Sequence, residues 1–581
     1  MSDKPMTAEA ITLVRIEQPF CNRSHGVAPC QASGAPCFNT YATCTDRANY
    51  QEGATRDLYF GLPGQGRPAD DLYILPLLAS VPNTSPARIN VSGADRRANP
   101  LGIRATATIT FRDAPHSDFL VDPYRAARSY DPLGRGTFWS KWDRRNRFGK
   151  VGMTVSIFEG YAGQSLADMV KRVYLCDSID LSGAETVVMK CRDVLSKASD
   201  QKAQCPEVST GELVADLTEA ATSFDVSGAV LSDYPASGTL RIGGEVMTYS
   251  SVSQTGGGLL RFTIAQRASD GSEGSDHTAG DLVQSCFRFS NETVDAGLAA
   301  LYQGFTTIPA LYLPVSDWAA EASRFLSSYR LTGLVTSPTP VVDLVGEILE
   351  QAQAFQWWDE ERHQVRFSAV RPLVDPPRDL NEDAHLIAGS VKVRDFPDRR
   401  VSRVYVYYDP RDPTKGREDE ENYSRLQSSQ DLSLEDAEAY GDKSIRKIFA
   451  RFVNSGAVAL ETTARILARY RQGAQEITFA VSDKDGDISV GDVVRIRYHR
   501  LQDDTGAPDY RLWIITSRDR NHAARRVHYT AEDATLAGQL LSIAENAVPD
   551  YVGDGSDQFG LAWISDDNGF LPNGGAGMTI Q

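Results

Sequence analysis

Cys21, Cys30, Cys37 and Cys44 are four of the chain's eight cysteines, and they fall within 24 residues at the spacing C-x8-C-x6-C-x6-C. The thiolate is the metal-binding form of the side chain, and thiolates repel one another, so four in one loop point to a positive centre. Tetrahedral zinc and an iron–sulfur cluster both take four sulfur ligands. Zinc sites usually show two short C-x2–4-C knuckles, which this stretch lacks. The long, nearly even intervals suit a cubane touched from four sides, while zinc, disulfides and free thiols stay open on spacing alone. His25 is able to replace a thiolate. As one polar loop histidine beside four cysteines, it is read as a solvated or supporting residue.

The elements that must position these thiols have little to bury locally. Residues 7–16 (TAEAITLVRI) read as a strand, after which Gly26, Ala28, Ala32, Ser33, Gly34 and Ala35 fill the intervals and Pro29 and Pro36 each precede a cysteine. Such a loop can wrap a centre but cannot fix itself by apolar packing. Alternating segments at 103–112, 151–158 and 185–193 predict antiparallel strands of a barrel or sandwich, and 237–284, with its GGG turn, predicts a small three-stranded β-insertion. Apolar residues at helical spacing predict three helices between 292 and 355, with starts at Asp317 and at Thr339–Pro340. Strands follow at 364–370 and 401–408, then a charged loop and helix start over 409–440. A helix at 459–471 leads into three strand-like runs that predict a second barrel.

The fold class expected is therefore mainly β with α insertions (α+β), in several domains. These are an N-terminal strand and cysteine loop (1–50), a first β-barrel (51–205), a small inserted β-domain (206–290), a helical α+β domain (291–400), a second β-barrel (401–540) and a Gly/Asp-rich tail ordered by a partner (541–581). A length of 581 residues agrees with several cores instead of one.

Other candidate residues take structural readings. Arg144, Arg145, Arg147 and Lys150 read as a solvated or subunit-facing loop in an acidic chain, and His277 beside Asp281 as a turn histidine capping a strand. Asp483, Asp485 and Asp487 lack the EF-hand spacing, since Gly486 stands at position four, and read as a hairpin turn. Trp357 and Trp358 read as helix–sheet packing, and Cys176 and Cys191 as buried small apolar residues. Cys205 and Cys286 have no distinguishing context. No GxSxG, HExxH, GxxxxGK[ST] or dinucleotide glycine fingerprint occurs.

Sixty Lys and Arg against 77 Asp and Glu give a net charge of −17, which argues against a surface that wraps nucleic acid or adheres to anionic lipid. A wall past which DNA moves without sticking is compatible with it. No run of about 18 uncharged apolar residues predicts a membrane span. Without a secretory signal, a reducing cytosol is the expected folding compartment.

The run Cys37-Phe38-Asn39-Thr40-Tyr41-Ala42-Thr43-Cys44, with Asp46 and Asn49 after it and Cys21 and Cys30 before it, resembles the N-terminal four-cysteine region of tail-tip (baseplate) hub proteins of long-tailed bacteriophages and gene transfer agents. VVMKCRDVLSKA (187–198) is similar to the first-barrel strand and helix of hubs. ASGTLRIGGEVMTY (236–249) resembles a small β-insertion of phage tail proteins, and SVGDVVRI (489–496) looks like the last hub barrel. Taken in order these segments span most of the chain from 7 to 540, and the cysteine run is the specific one.

The resemblance implies a 4Fe–4S cluster bound through Cys21, Cys30, Cys37 and Cys44, with zinc as the alternative. It implies two hub-type barrels that repeat as six around the tail axis in a homotrimer. Implied partners are distal tail and tail-tube proteins, the tape-measure protein, and tail fibre or tip proteins. Genomic DNA would pass through without specific binding. The implied location is the virion tail tip, after assembly in the host cytoplasm. The role would be structural, and no peptidoglycan-hydrolase segment is identified. A four-cysteine metal-dependent redox enzyme or binding module is the competing reading.

Overall fold

The structure, a computed structural model, describes residues 9–91, 101–181, 183, 185–370, 377–471, 473–522 and 524–534, and three short strands at 542–544, 562–565 and 578–580. The expectation of a partner-ordered tail otherwise lies outside the described residues. So does the start of the strand expected at 7–16.

That strand is β1 (Ala10–Cys21), and its two faces serve different cores. Val14 and Ile16 point into a barrel, while Ile11 and Leu13 pack outside with Phe158 and Met169. The remaining strands of this sheet are β2 (Glu52–Gly61), β3 (Ile74–Leu75), β4 (Asn83–Ser85), β5 (Thr106–Arg112), β6 (Thr154–Tyr161), β7 (Val170–Asp180) and β8 (Thr186–Arg192). Their order is β3-β2-β1-β6-β7-β8-β5-β4, antiparallel except between β2 and β3. Residues 77–79 bring the two ends together: Leu78 N–H donates to Gly61 O (3.1 Å), while Arg112 N–H donates to Leu77 O (2.7 Å) and Ala79 N–H to Thr110 O (2.9 Å). Closure leaves few unpaired edges and makes an interior.

Helix α1 (Phe138–Arg145) fills one side of that interior with Phe138, Trp139 and Trp142. Trp139 stacks on Phe60 at 5.2 Å and lies 4.3 Å from Phe111. The Trp142 indole N–H donates to Gln18 Oε1 (2.6 Å) inside the core, so this large ring is buried without an orphaned donor. Burial of each such ring is worth about 1.5–3 kcal/mol, which makes α1 a firm base for whatever rests on its C-terminal end.

A second sheet is built from six strands around Leu240, Met247 and Phe262: Gly238–Ile242, Glu245–Gln254 and Leu260–Gln266 are the three expected within 237–284, and Glu212–Leu213, Ser223–Ser227 and Val283–Ser285 extend it. Gly243 (φ 58°) makes the two-residue turn between Gly238–Ile242 and Glu245–Gln254, where a Cβ would be strained. Helices Val294–Phe305, Val315–Phe325 and Val341–Gln351 follow as expected, the second starting after Pro314 instead of at Asp317. Trp357 and Trp358 lie in a strand, Ala354–Asp359, and face opposite ways, so the helix–sheet packing expected of both holds for Trp358 and is corrected for Trp357. Trp358 enters the helical core, and Trp357 packs with Ile89, Val91 and Ile514.

The charged stretch 409–440 also departs from expectation, since it contains a strand, Tyr423–Gln430, paired antiparallel with Arg403–Pro410. Ile445–Ala450 pairs parallel on the other side of Arg403–Pro410, and helix Gly456–Tyr470 packs against this three-stranded sheet. The last large sheet has six strands in the order Arg378–Asn381, Val493–Arg497, Arg511–Asn521, Arg526–Asp533, Ala474–Ser482 and Lys392–Phe396. It curves around Phe479, Trp513 and Tyr529, and two of its strands come from before residue 401.

Residues 87–91, in the segment between β4 and β5, tie the first barrel to the last sheet and to the end of helix Gly456–Tyr470. Ile89 N–H donates to Thr516 O (2.9 Å), the Ser517 hydroxyl to Ala87 O (2.9 Å), and the Tyr470 hydroxyl to Val91 O (2.6 Å). The molecule is thus mainly β with α insertions, in several cores. No helix among the described residues is long and apolar enough to cross a membrane.

Candidate metal centre

Cys21 ends β1 opposite Glu52, which starts β2. Residues 22–51 are therefore one long hairpin connection, closed at its base by Asn22 N–H donating to Gln51 O (2.9 Å). Connections of this length are uncommon unless they serve a function or are disordered. Only two single-turn 3-10 segments interrupt it, Tyr41–Thr43 and Arg47–Asn49. Within it, Ala32 and Thr40 alone are buried, so apolar packing does not fix its path.

Polar and cationic clamps do. Asn39 adopts the left-handed conformation (φ 54°), tolerable for Asn, and its main-chain O accepts from Cys21 N–H (2.7 Å). Its Oδ1 accepts from the Cys37 thiol (3.4 Å), so one residue ties two cysteines together. Asp46 accepts from Gln31 N–H (2.7 Å) and from Asn49 Nδ2 (3.1 Å), which ties the Cys30 arm to the Cys44 arm. These two donors, in that order, hold its carboxyl below the usual range.

The barrel supplies the other clamps. Guanidinium groups of Arg128 and Arg145 each lie 3.9 Å from the centroid of the Phe38 ring. Arg128 also donates to Cys37 O (2.9 Å) and pairs with Asp122 (2.7 Å), and Arg145 pairs with the buried Asp118 (2.6 Å). The Thr40 hydroxyl donates to Arg145 O (2.6 Å), and His25 N–H donates to the Tyr124 hydroxyl (2.8 Å). Sequence reasoning did not find Arg128 or Tyr124, and it read Arg145 as surface. The available signal was Phe38, the sole phenylalanine in a small-residue loop.

The structure brings all four cysteines to one small cavity, lined also by Arg23, His25, Asn39, Asp46, Asn49 and Tyr50. Burial raises the Cys37 thiol; the Asn39 hydrogen bond opposes this, and Cys44, Cys30 and Cys21 add to it. Cys44 is raised by burial first, with Cys21 and Cys30 contributing. Burial, then Glu52 and the thiols of Cys21, Cys44 and Cys37, pushes the Tyr50 hydroxyl up to about 12. Cys37 and Cys44 therefore resist ionisation, and a bound cation would favour their thiolates.

Among the described residues, no three His, Cys, Asp or Glu side chains converge as they would on a single metal ion. Four sulfurs on one zinc, each about 2.3 Å from it, would stand about 3.8 Å apart. Cys21, Cys30, Cys37 and Cys44 at this cavity supply the four-sulfur donor set that zinc or an iron–sulfur cluster takes.

The remaining candidates lie elsewhere. In the 144–150 run, Lys150 pairs with Asp143, Arg144 and Arg147 are exposed, and Arg145 is buried beneath the cysteine loop, so the surface reading holds only in part. His277 is itself buried, with Nε2 2.9 Å from Glu245 Oε2 and Asp281 at 4.0 Å. Asp485 and Asp487 pair with Arg378, and Asp483 with Arg520 (3.3 Å). Their turn leaves strand Ala474–Ser482 and leads to Val493–Arg497, which does not pair with it, so it is not a hairpin turn. Cys176 and Cys191 are buried cross-strand neighbours on β7 and β8, and burial pushes Cys176 up to about 12.

No protein-family model matches the sequence, and no curated protein matches it. Among solved structures, the 43 kDa tail protein of prophage MuSo2 from Shewanella oneidensis aligns with 78% of this chain and 93% of its own at 10% identity and a TM-score of 0.36. The tail protein from Neisseria meningitidis MC58 aligns with 78% of this chain and 90% of its own, at 10% identity and a TM-score of 0.35. A chain of the native gene transfer agent virion aligns with 56% of this chain and 82% of its own, at 13% identity and a TM-score of 0.31. Superpositions at these scores do not define a common fold.

Proposed function

We propose that this chain is a structural hub of a phage-type tail tip, in which the four-cysteine loop is fixed by a 4Fe–4S cluster. The observation that carries the reading is the gathering of Cys21, Cys30, Cys37 and Cys44, from one hairpin connection otherwise without a core, around one cavity on the face of a closed barrel. Their run is also the segment that resembles hub proteins. Cys21, Cys30, Cys37 and Cys44 would hold the cluster, and its chemistry there is to cross-link four points of a chain that packing leaves loose.

The two barrel-like sheets, joined through Ala87–Val91, suit a subunit that presents two similar units to a ring. Three copies would then offer six, matching a sixfold tube above to a threefold tip below, with closed rotational symmetry. Tube, tape-measure and fibre or tip proteins are the partners of that reading, and the net charge of −17 per chain suits a conduit that does not trap DNA.

Native mass spectrometry of the anaerobically purified chain tests the assembly. A trimer, alone or on addition of tube protein, is expected; a monomer under both conditions would overturn it. Salt-sensitive, tight binding to duplex DNA would overturn the conduit.

A further inference from the structure

Among the polar side chains of the cysteine cavity, most are already engaged. Asn39 accepts from Cys37, the Thr40 hydroxyl donates to Arg145 O, and Asp46 and Asn49 hold each other. Two nitrogens are different: His25 Nε2 and Arg23 Nε are both buried without a hydrogen-bond partner. Both residues line the cavity, in the short stretch between Cys21 and Cys30. A buried donor without a partner costs about 1–3 kcal/mol, so two of them on one wall of a cavity imply an acceptor inside it.

The His25 ring is also held in place. Its own backbone N–H donates to the Tyr124 hydroxyl at 2.8 Å, and its ring meets the Tyr124 ring edge-to-face with centroids 6.2 Å apart. A solvated loop histidine would need neither contact. Tyr124 lies on the barrel segment that carries the other clamps, so His25 is oriented by the same platform as Phe38.

The geometry points to His25 as a positioning residue whose Nε2–H donates to a sulfur of the four-cysteine centre, with the Arg23 guanidinium adding a second donor and a positive charge. The inference rests on the cluster reading above. Sulfur atoms of an anionic iron–sulfur centre accept hydrogen bonds, and such bonds, with local charge, raise its reduction potential and slow its loss. His25 is thereby neither a fifth ligand nor a solvated bystander.

The test uses the full chain, purified anaerobically from cells grown on 15N-histidine, with iron and sulfide quantified first. Absence of iron and sulfide in the wild type would overturn the cluster reading itself. With the cluster present and reduced by dithionite, weak 15N hyperfine coupling is expected in the wild type and none in His25→Phe. At a fixed solution potential, the ratio of oxidised to reduced cluster is expected to rise about tenfold in His25→Phe, equal to about 59 mV for a one-electron couple. His25→Gln, which keeps a donor, is expected to recover part of that shift. An intact cluster with no 15N coupling, or an unchanged ratio in His25→Phe, would overturn the role of His25 and leave the cluster reading standing. Strong coupling of the kind seen for direct ligation would overturn it in favour of a histidine ligand. Should His25→Phe lose the cluster altogether, the wild-type coupling and His25→Gln decide.

Discussion

The guanidinium of Arg145 lies 3.9 Å from the centre of the Phe38 ring while its charge pairs with buried Asp118. The last residue of the helix that fills the first barrel therefore also holds the middle of the cysteine loop, and barrel and loop share one cation. Arg145→Ala is expected to leave Asp118 paired in the interior with Lys141 alone (2.7 Å), at a cost of about 1.5–3 kcal/mol. Phe38→Ala removes only the ring, worth about 0.5–2 kcal/mol per cation contact. Limited proteolysis should show residues 22–51 cut faster in both variants, with a lowered melting temperature of the barrel in Arg145→Ala alone. Equal cleavage of Phe38→Ala and wild type would show that the clamp is idle.

Cys37→Ala is expected to abolish iron and sulfide content and visible absorbance in anaerobic preparations, and to loosen residues 17–50 while the rest of the chain stays folded. Metal analysis, absorbance and hydrogen exchange read all three. Full iron occupancy in the variant, or stoichiometric zinc in the wild type, would contradict a 4Fe–4S centre.

Acid should weaken the six-stranded insertion through Glu245. Burial pushes this carboxyl up, but Arg267, the Ala268 N–H, His277 and the Ser275 N–H outweigh it and hold it at about 2, below the ordinary 4.5. A depressed carboxyl gives stability that is present above 4.5 and lost as pH falls towards 2. The protection of amides over 245–254, taken relative to their intrinsic exchange at each pH, is expected to fall through that window in the wild type and to lose much of its pH dependence in Glu245→Gln. Glu245→Ala should cost on the order of 3–5 kcal/mol, because Arg267 loses its carboxylate and keeps only the main-chain oxygens of Thr218, Glu219 and Ser275.

Glu360 carries the opposite sign. Its carboxylate is buried beside the Tyr174 hydroxyl, which donates to it at 2.8 Å, and burial, opposed by Arg172, pushes it up to about 7. A raised carboxyl stabilises most below its ordinary 4.5, and the contribution is lost as pH rises to about 7. The protection of amides in β7, where Tyr174 sits, taken relative to their intrinsic exchange at each pH, should thus fall between pH 5 and pH 8, by the order of one unit of protonation free energy, about 1.4 kcal/mol or more. In Glu360→Gln that protection should stay flat with pH, and a variant whose protection is as pH-dependent as that of wild type would exclude this carboxyl as the cause.

What the sequence determined by itself was local. Alternation marked β1, β5, β6 and β8, and helical spacing marked the three helices after residue 292, because burial on one side of a segment leaves a period in its own residues. Composition likewise showed that residues 22–51 lack the means to pack, and the four cysteines stood out by density alone. Strand Tyr423–Gln430 was hidden for the same reason: it is exposed at most positions, so its residues carry no apolar period.

Tertiary structure decided which distant groups meet. His277 and Glu245 are 32 residues apart, Cys37 and Arg128 are 91 apart, and Cys176 faces Cys191 only through the register of β7 on β8. Arg145 reads as one more basic residue in a charged run until the barrel closes and turns it inward. Such pairings follow from strand register and chain closure, which sum over the whole molecule, and no window of sequence contains them. The same closure left His25, which lines the four-cysteine cavity, with its Nε2 buried and without a partner.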